Sequence, residues 1–222
     1  MSAARKPSSS QSTRTASSPC PTASIPPSEH AGTTAWALAE AIQPRQGEVI
    51  AVSAAAGGVG FLLSQLLRRA GARVVGIASD ASAQALEGIG ATQVAYGDGL
   101  PERLRAAAPG GLSAFADCFG GGYVEAAIDC GVPTERIKTI IDIAAARRFG
   151  VQMVVMAGVA DPGRVVGELA DLVAAGELRV PIRARYPLDQ VRAAYEDLAT
   201  RHGVGKIVLS VGGESAGAVP TA

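Results

Sequence analysis

The sequence predicts an α/β fold with a doubly wound parallel sheet. Three observations indicate this class. Short apolar runs of strand length alternate with segments of helical apolar spacing, glycine or proline stands at most of the junctions, and the strands are apolar throughout. Strands of the last kind are typical of a sheet that helices cover on both faces, and the alternation itself implies right-handed crossovers between parallel strands.

The elements follow one another without long gaps. The first half of the folded region is predicted to contain strands at 48–53, 73–78 and 93–96, and helices at 57–70, 82–89 and 101–107. Gly71 and Gly90 follow the first two helices, where glycine commonly ends a helix. Pro101 opens the third helix, because proline is tolerated in the first helical turn.

The second half continues the pattern. We predict strands at 113–119, 136–142 and 206–211, an exit turn at 120–122, and helices at 123–130, 161–175 and 188–200. Asp161 precedes Pro162 and is a suitable N-cap for its helix.

The two ends of the chain differ from this region. Residues 1–28 are rich in Ser, Thr, Pro and Ala, and Ile25 is their only large aliphatic residue after Met1. Such a segment buries too little surface to offset the entropy of ordering it. We therefore expect a disordered leader over residues 1–28 and a disordered tail over residues 212–222.

The turn after the first strand carries the clearest chemical signal. The sequence Ala55-Ala56-Gly57-Gly58-Val59-Gly60 joins a strand directly to a helix, and this context makes a glycine-rich motif specific for dinucleotides. Gly57 lets the backbone approach a pyrophosphate, Gly60 lets the helix pack against the strand, and the free amides of the helix start bind phosphate. Ala55 replaces the first glycine of the motif. The sequence thus predicts a Rossmann-type domain over residues 29–177, followed by a strand-helix-strand return segment over 178–211.

The end of the second strand bears on the choice of cofactor. NAD-binding domains place a carboxylate there, about 20 residues after the turn, to bind the ribose hydroxyls. Ala78 occupies this place, Ser79 can donate to a phosphate, and Asp80 lies two positions later. No Arg or Lys follows between residues 79 and 91. We favour NADP, and NAD remains an alternative.

Charge and cysteine usage limit the other partners. Lys plus Arg and Asp plus Glu number 20 each, which gives no electrostatic case for nucleic acid or an anionic membrane. No apolar stretch approaches the length of a membrane span, and the three cysteines form no CxxC pair. We expect a cytoplasmic protein without nucleic-acid or membrane partners.

The motifs together resemble a known family, the zinc-independent medium-chain dehydrogenases/reductases of the quinone oxidoreductase type. The resemblance covers roughly residues 31–211 and rests on the segments 31–36, 47–60, 71–78, 114–121 and 205–209. It implies an NADP(H)-dependent oxidoreductase that transfers hydride between nicotinamide and a quinone, enone or other carbonyl substrate.

The resemblance also implies roles for individual residues. Thr34 matches a threonine near the nicotinamide, Val59 lies behind its ring, and Ser79 lies at the adenosine ribose. The remaining matches are Ala56, Gly57 and Gly58 along the pyrophosphate, and Phe119 and Gly120 along the ribose and nicotinamide. Ordinary helix and loop packing is the alternative for Thr34 and Phe119.

One departure from the family is large. Its members carry an N-terminal catalytic domain of more than a hundred residues, whereas this sequence has the low-complexity residues 1–28 in that place. A catalytically weak module that binds NADP(H) and acts with a partner chain is therefore the alternative function, and a poorly folding fragment is a third possibility.

The resemblance implies no zinc, and His30 is more simply a solvated residue than a ligand. Related enzymes suggest a possible homodimer.

Other polar residues suggest no different chemistry. Asp117 and Asp142 fall in or after predicted strands, but their spacing gives no argument for an acid-base pair, and capping or backbone hydrogen bonds explain them as well. Tyr123, Tyr186 and Tyr195 are each capable of donating a proton, and the sequence singles out none. No catalytic residue is assigned.

Overall fold

The structure is a computed structural model that describes residues 29–155, 158–200 and 203–211. The predicted leader at 1–28 and the predicted tail at 212–222 lie outside these residues.

A six-stranded parallel sheet forms the centre of the described region. Its strands are β1 (Val49–Val52), β2 (Arg73–Ala78), β3 (Thr92–Ala95), β4 (Ala114–Asp117), β5 (Ile137–Thr139) and β6 (Gln152–Met153). They lie in the order β3-β2-β1-β4-β5-β6. This order is that of a Rossmann-type doubly wound sheet, so the predicted fold class is confirmed.

Helices cover both faces of this sheet. They are α1 (Glu29–Ile42), α2 (Gly58–Arg69), α3 (Ala83–Glu87), α4 (Leu100–Ala107), α5 (Tyr123–Asp129), α6 (Ile143–Phe149) and α7 (Pro162–Ala174). Residues of α1, α2, α3 and α7 belong to one apolar core, and residues of α4, α5 and α6 belong to a second. Each core fills one side of the sheet.

Strand β1 shows why the strands are apolar throughout. Ile50 and Val52 enter the first core, whereas Ala51 between them enters the second, and all three are fully buried. Successive side chains of a strand point to opposite faces, so a strand between two cores needs apolar residues at every position.

The return segment forms a smaller unit. Strands β7 (Ile182–Pro187) and β8 (Lys206–Ser210) pair in parallel, and helix α8 (Val191–Ala199) connects them. These three elements lie within residues 178–211. The side chain of Gln65 on α2 ties this unit to the first core, since its amide donates to the carbonyl of Arg179 at 3.0 Å and accepts from the Arg179 amide at 2.7 Å.

Two predicted strands end earlier than expected, and some elements were not predicted. Strand β4 ends at Asp117 and β5 at Thr139, whereas the apolar runs suggested 119 and 142. In both cases the side chain of the last strand residue accepts hydrogen bonds from backbone amides that follow it, which turns the chain out of the sheet. Helices α1 and α6 and the two-residue strand β6 were not among the predicted elements.

Within the described residues, no helix combines the length and the hydropathy needed to cross a lipid bilayer.

Candidate functional site

The site lies where the two halves of the sheet diverge. Strands β1 and β4 are neighbours, but β1 continues into α2 on one face and β4 into α5 on the other. A crevice opens at such a switch point, outside the carboxyl ends of the strands, and ligands of open α/β sheets bind there. The glycine-rich turn leaves β1 at this point.

The turn is tight and depends on glycine. Ala54 has a φ of 47°, in the left-handed region, and its carbonyl accepts a hydrogen bond from the amide of Gly57 at 2.8 Å. Helix α2 begins at the next residue. A Cβ atom on Gly60 would lie 2.9 Å from Cα of Ala55 and closer still to the carbonyl of Ala54. Gly60 therefore allows the first turn of α2 to pack directly on the strand exit, as its place in the motif predicts.

The departure at Ala55 is compensated by a second glycine. Ala55 is fully buried, and its amide donates to the carbonyl of Ile77 in β2 at 3.0 Å. Its methyl group lies against Gly76, where a Cβ atom would approach it to 2.8 Å. Gly76 thus provides the space that the alanine in the motif requires.

Lys206 adds a positive charge to the start of α2. It is the first residue of β8, and its side chain runs so close over Gly58 that a Cβ atom there would lie 2.8 Å from Cε of Lys206. Its backbone amide donates to the carbonyl of Pro181 at 2.8 Å, which fixes the strand at this point. Burial lowers the pKa of Lys206 from its usual value of 10.5. The helix start and the ammonium group both favour an anion here.

The sequence did not single out Lys206. Its contact with Gly58 joins residues 148 positions apart, and the only signal in the sequence is the Gly205-Lys206 pair at the start of the last strand. The apolar side chains of Phe61 and Leu62 and the backbone of Pro181 complete the surroundings of this contact.

A buried polar network joins the strand ends at the crevice. The carboxylate of Asp117 is fully buried and accepts from the hydroxyl of Ser53 at 2.8 Å and from that of Thr139 at 2.8 Å. It also accepts from the amides of Phe119 at 3.0 Å and Gly120 at 2.9 Å. This carboxylate therefore has partners in β5 and in the turns that follow β1 and β4. The alternative of backbone hydrogen bonding, which the sequence left open for Asp117, is what the structure shows.

The exit of β4 presents apolar surface to the crevice. Phe119 is 54% exposed and packs edge-on against the ring of Tyr123, with 5.9 Å between ring centroids. Ile141, which follows β5, is 55% exposed, and a Cβ atom on Gly120 would lie 3.4 Å from it. Large apolar side chains exposed together at one sheet edge are typical of a binding surface.

Two titratable side chains at this edge, those of Cys118 and Tyr123, have raised pKa values. Burial and the charge of Asp117 raise the pKa of the Cys118 thiol, so Cys118 is not an activated nucleophile. Burial, Asp117 and Tyr96 raise the pKa of Tyr123. Of the three tyrosines considered from the sequence, Tyr123 is the one at this edge.

The other two tyrosines lie in the return segment, and Asp142 caps a helix. Tyr186 in β7 donates to Asp197 at 3.1 Å, and Tyr195 on α8 is 67% exposed. Asp142 caps α6 by accepting from the amide of Ala145 at 2.8 Å.

The predicted adenosine end lies after β2. Ser79 is half-buried, and its hydroxyl lies 3.1 Å from that of Ser82. Asp80 is exposed and accepts from the side chain of Gln93 at 3.3 Å. The Ser79 hydroxyl thus directly follows the strand, and the exposed carboxylate of Asp80 comes one residue later.

Thr34 is buried in the first half of α1. Its hydroxyl donates to the carbonyl of His30 at 2.7 Å, a hydrogen bond within the helix that leaves the oxygen able to accept. The other end of α1 lies beside the start of β1, because Arg136 donates both to the carbonyl of Ile42 and to the carboxylate of Glu48, each at 2.7 Å. His30 itself is exposed.

Across residues 29–155, 158–200 and 203–211, no three His, Cys, Asp or Glu side chains are grouped so that they could hold a metal ion. The described residues do not fit a zinc site.

Comparison with curated proteins gives partial matches to oxidoreductases and to a polyketide synthase. The chain is 33% identical over 181 residues to the spectinabilin polyketide synthase system protein NorB of Streptomyces orinoci, covering 75% of this chain and 8% of that protein. It is 35% identical over 104 residues to the putative NADP-dependent oxidoreductase YfmJ of Bacillus subtilis, covering 44% and 31%. It is 25% identical over 174 residues to the acryloyl-coenzyme A reductase of Metallosphaera sedula, covering 75% and 52%. The chain thus spans about half or less of the length of these relatives.

Solved structures share the fold. The quinone oxidoreductase of Coxiella burnetii superposes with a TM-score of 0.66 at 26% identity, covering 82% of this chain and 58% of that one. CurA of Vibrio vulnificus, in complex with NADPH, superposes with a TM-score of 0.71 at 19% identity, covering 87% and 66%.

A family model described as zinc-binding dehydrogenase matches residues 89–209, which is more than half of the chain. This match and the likeness to a quinone oxidoreductase confirm the medium-chain dehydrogenase/reductase resemblance of the sequence. The chain belongs to the zinc-binding dehydrogenase family and comprises its cofactor-binding part.

Proposed function

We propose that the chain binds NADP(H) in the crevice between β1 and β4. One observation carries this proposal: the glycine-rich turn opens α2 at the switch point of the sheet, and Lys206 holds its ammonium group over the same turn. A helix start and a half-buried cation at one place form an anion site, and a pyrophosphate bridging two nucleosides is the anion that this fold accommodates.

The residues around the crevice fit the parts of the cofactor. Ala56, Gly57 and Gly58 supply backbone to the pyrophosphate, and Lys206 supplies the countercharge. Ser79 holds the adenosine ribose. Thr34, Val59, Phe119 and Gly120 line the nicotinamide half. These assignments follow the family resemblance, and Lys206 is added to them because of its contact with Gly58.

The cofactor is the phosphorylated form, NADP(H). The strand end at Ala78 lacks the carboxylate that binds the ribose hydroxyls of NAD, and the hydroxyl of the half-buried Ser79, which lies 3.1 Å from that of the buried Ser82, is able to donate to a 2′-phosphate. The name of the Bacillus subtilis relative, which specifies NADP, agrees with this choice. NAD is the alternative, with Asp80 as its ribose ligand.

The reaction is a hydride transfer to a quinone, an enone or another carbonyl compound. The bound nicotinamide supplies the hydride, and the protein orients the two reactants and excludes water. Phe119 and Ile141 form the apolar surface that does so, and Tyr123 remains protonated beside it. A quinone oxidoreductase and an acryloyl-coenzyme A reductase among the similar proteins support this substrate range.

A second function is favoured by the exposure of the return segment. Every residue of β8 is partly exposed, and Tyr195 and Leu198 on α8 are 67% and 56% exposed. Parallel strands are normally covered on both faces. A chain that binds NADP(H) and completes its substrate site with a partner chain fits this observation.

A rate assay separates the two functions. The purified full chain is mixed with NADPH and phenanthrenequinone, and in parallel with an enone, and the absorbance of NADPH is followed. Consumption that depends on both reactants is expected of a self-sufficient oxidoreductase. Saturable NADPH binding without consumption would contradict that proposal and leave the partner-dependent module.

A further inference from the structure

The network around Asp117 has a function in addition to holding strands together. Strands β1, β4 and β5 are already paired by their backbone ladders, which include Val52 with Ala116 and Asp117 with Thr139. The four donors that the Asp117 carboxylate collects lie at or beyond the ends of these strands. The carboxylate therefore fixes the loops that leave the sheet.

Ser53 links the first two loops. Its hydroxyl donates to Asp117 and accepts from the amide of Cys118, both at 2.8 Å. Ser53 directly precedes the glycine-rich turn, and Cys118 begins the loop that carries Phe119 and Gly120. The phosphate-binding turn and the loop after β4 are thus held at a set separation by one hydroxyl and one carboxylate.

Thr139 extends the network to the third loop. Its hydroxyl donates to Asp117 at 2.8 Å and accepts from the amides of Ile141 at 3.2 Å and Asp142 at 3.0 Å. Ile141 is one of the exposed apolar side chains of the crevice. The carboxylate of Asp117 accordingly determines, through Thr139, where this side chain stands.

The choice of a charged group is informative. The Asp117 carboxylate accepts from four donors: the Ser53 hydroxyl and the amides of Phe119 and Gly120 at Oδ1, and the Thr139 hydroxyl at Oδ2. A buried carboxylate is costly unless it is fully hydrogen-bonded. An asparagine at this position would carry an NH₂ group in place of one carboxylate oxygen. In one orientation the NH₂ group would face the Thr139 hydroxyl, and in the other it would face the Ser53 hydroxyl and the two loop amides. All of these groups donate to Asp117, so either orientation sets a donor against a donor.

We infer that Asp117 is the positioning residue of the nicotinamide half of the site, which it shapes through Ser53, Thr139 and the amides of Phe119 and Gly120. This inference rests on the proposed function. It assigns to Asp117 no contact with the cofactor, and it leaves the adenosine half, at Ser79 and Ser82, independent of Asp117.

The test compares a whole cofactor with a fragment of it. Calorimetry measures the binding of NADPH and of adenosine 2′,5′-bisphosphate, which lacks the nicotinamide half, to the full chain and to its Asp117→Asn variant. We expect Asp117→Asn to bind NADPH about ten-fold more weakly, the loss expected for disrupting a charge-assisted hydrogen bond, and the bisphosphate unchanged within about two-fold. Asp161→Asn is the matched control: Asp161 caps α7 by accepting from the Arg164 amide at 3.0 Å, and its variant should alter neither affinity.

Two milder variants keep the inference testable if Asp117→Asn does not fold. Ser53→Ala and Thr139→Val each remove one donor and retain the carboxylate, and each should weaken NADPH binding a few-fold without affecting the bisphosphate. An equal loss for both ligands, or unchanged NADPH affinity in all three variants, would overturn the inference alone. A folded wild-type chain that binds neither ligand would overturn the proposed function and the inference together.

Discussion

The side chain of Lys206 lies over the backbone of Gly58, so that the last strand of the return segment places an ammonium group at the start of helix α2. The return segment is held there by the bidentate contact between Gln65 and the backbone of Arg179. Cofactor binding and the docking of this segment are therefore expected to depend on each other.

Replacing the ammonium group should weaken cofactor binding. We expect Lys206→Met to bind NADPH about ten- to a hundred-fold more weakly, because a hydrogen bond to a charged group contributes about 1.5–3 kcal/mol. Fluorescence titration measures the affinity. Arg192→Met, which removes an exposed positive charge from α8 in the same segment, is the control and should bind as the wild type does. Equal affinities of Lys206→Met and the wild type would contradict the role of Lys206.

The affinity should also depend on pH in the alkaline range. Burial disfavours the charged form of Lys206 and lowers its pKa below 10.5, whereas a bound phosphate favours the charged form. Binding then takes up a proton as the pH rises through the lowered pKa, and NADPH affinity falls. The folding stability of the cofactor-free protein changes with pH in the opposite direction to the NADPH affinity. Lys206 contributes most to stability above pH 10.5, and this contribution is lost as the pH falls through the lowered pKa. Titrations at several alkaline pH values should show a decline in the wild type that Lys206→Met lacks.

Filling the space at Gly76 should destabilise the fold. In Gly76→Val the new side chain meets the methyl group of Ala55 and the side chain of Leu86, where a Cβ atom has only 2.8 and 3.1 Å. Overpacking of this kind costs about 1–3 kcal/mol of unfolding free energy. Urea unfolding followed by circular dichroism measures it. Gly110→Val, at a glycine with nothing within 4 Å of its Cβ position, should be close to the wild type, and equal losses in both would refute the packing argument.

Removing the amide of Gln65 should loosen the return segment. Gln65→Leu removes the two hydrogen bonds between this side chain and the backbone of Arg179, and each hydrogen bond contributes about 0.5–1.5 kcal/mol. We expect a lower unfolding free energy and faster hydrogen exchange at the Arg179 amide. The control is Gln84→Leu, at an exposed position of α3. Unchanged exchange at Arg179 in Gln65→Leu would show that other contacts hold the segment.

The sequence predicted the elements whose signals are local. Strand β2 was predicted with its observed bounds, Arg73–Ala78, because an apolar run of strand length lies between glycine and polar residues. The N-cap at Asp161 was predicted from a residue and the proline that follows it, and its side chain accepts from the amide of Arg164. The turn at 55–60 was found in the same way.

The rest depended on contacts between distant residues. Strands β4 and β5 end early because Asp117 and Thr139 accept hydrogen bonds from the backbone that follows them, and the hydroxyls of Ser53 and Thr139 meet at Asp117 only in the folded sheet. The approach of Lys206 to Gly58 is likewise a tertiary contact. Strand β6 has two residues, too few for a periodic pattern.

NADPH titrations of the wild-type chain, Gly57→Val and Gly110→Val show whether the turn between β1 and α2 binds NADP(H). A Cβ atom on Gly57 would lie 3.1 Å from the carbonyl of Ala54, and a valine there would occupy the surface that the pyrophosphate needs. We predict saturable binding by the wild type and by Gly110→Val, and none by a folded Gly57→Val. Undiminished affinity in Gly57→Val, or no binding by the folded wild type, would contradict NADP(H) binding at this turn.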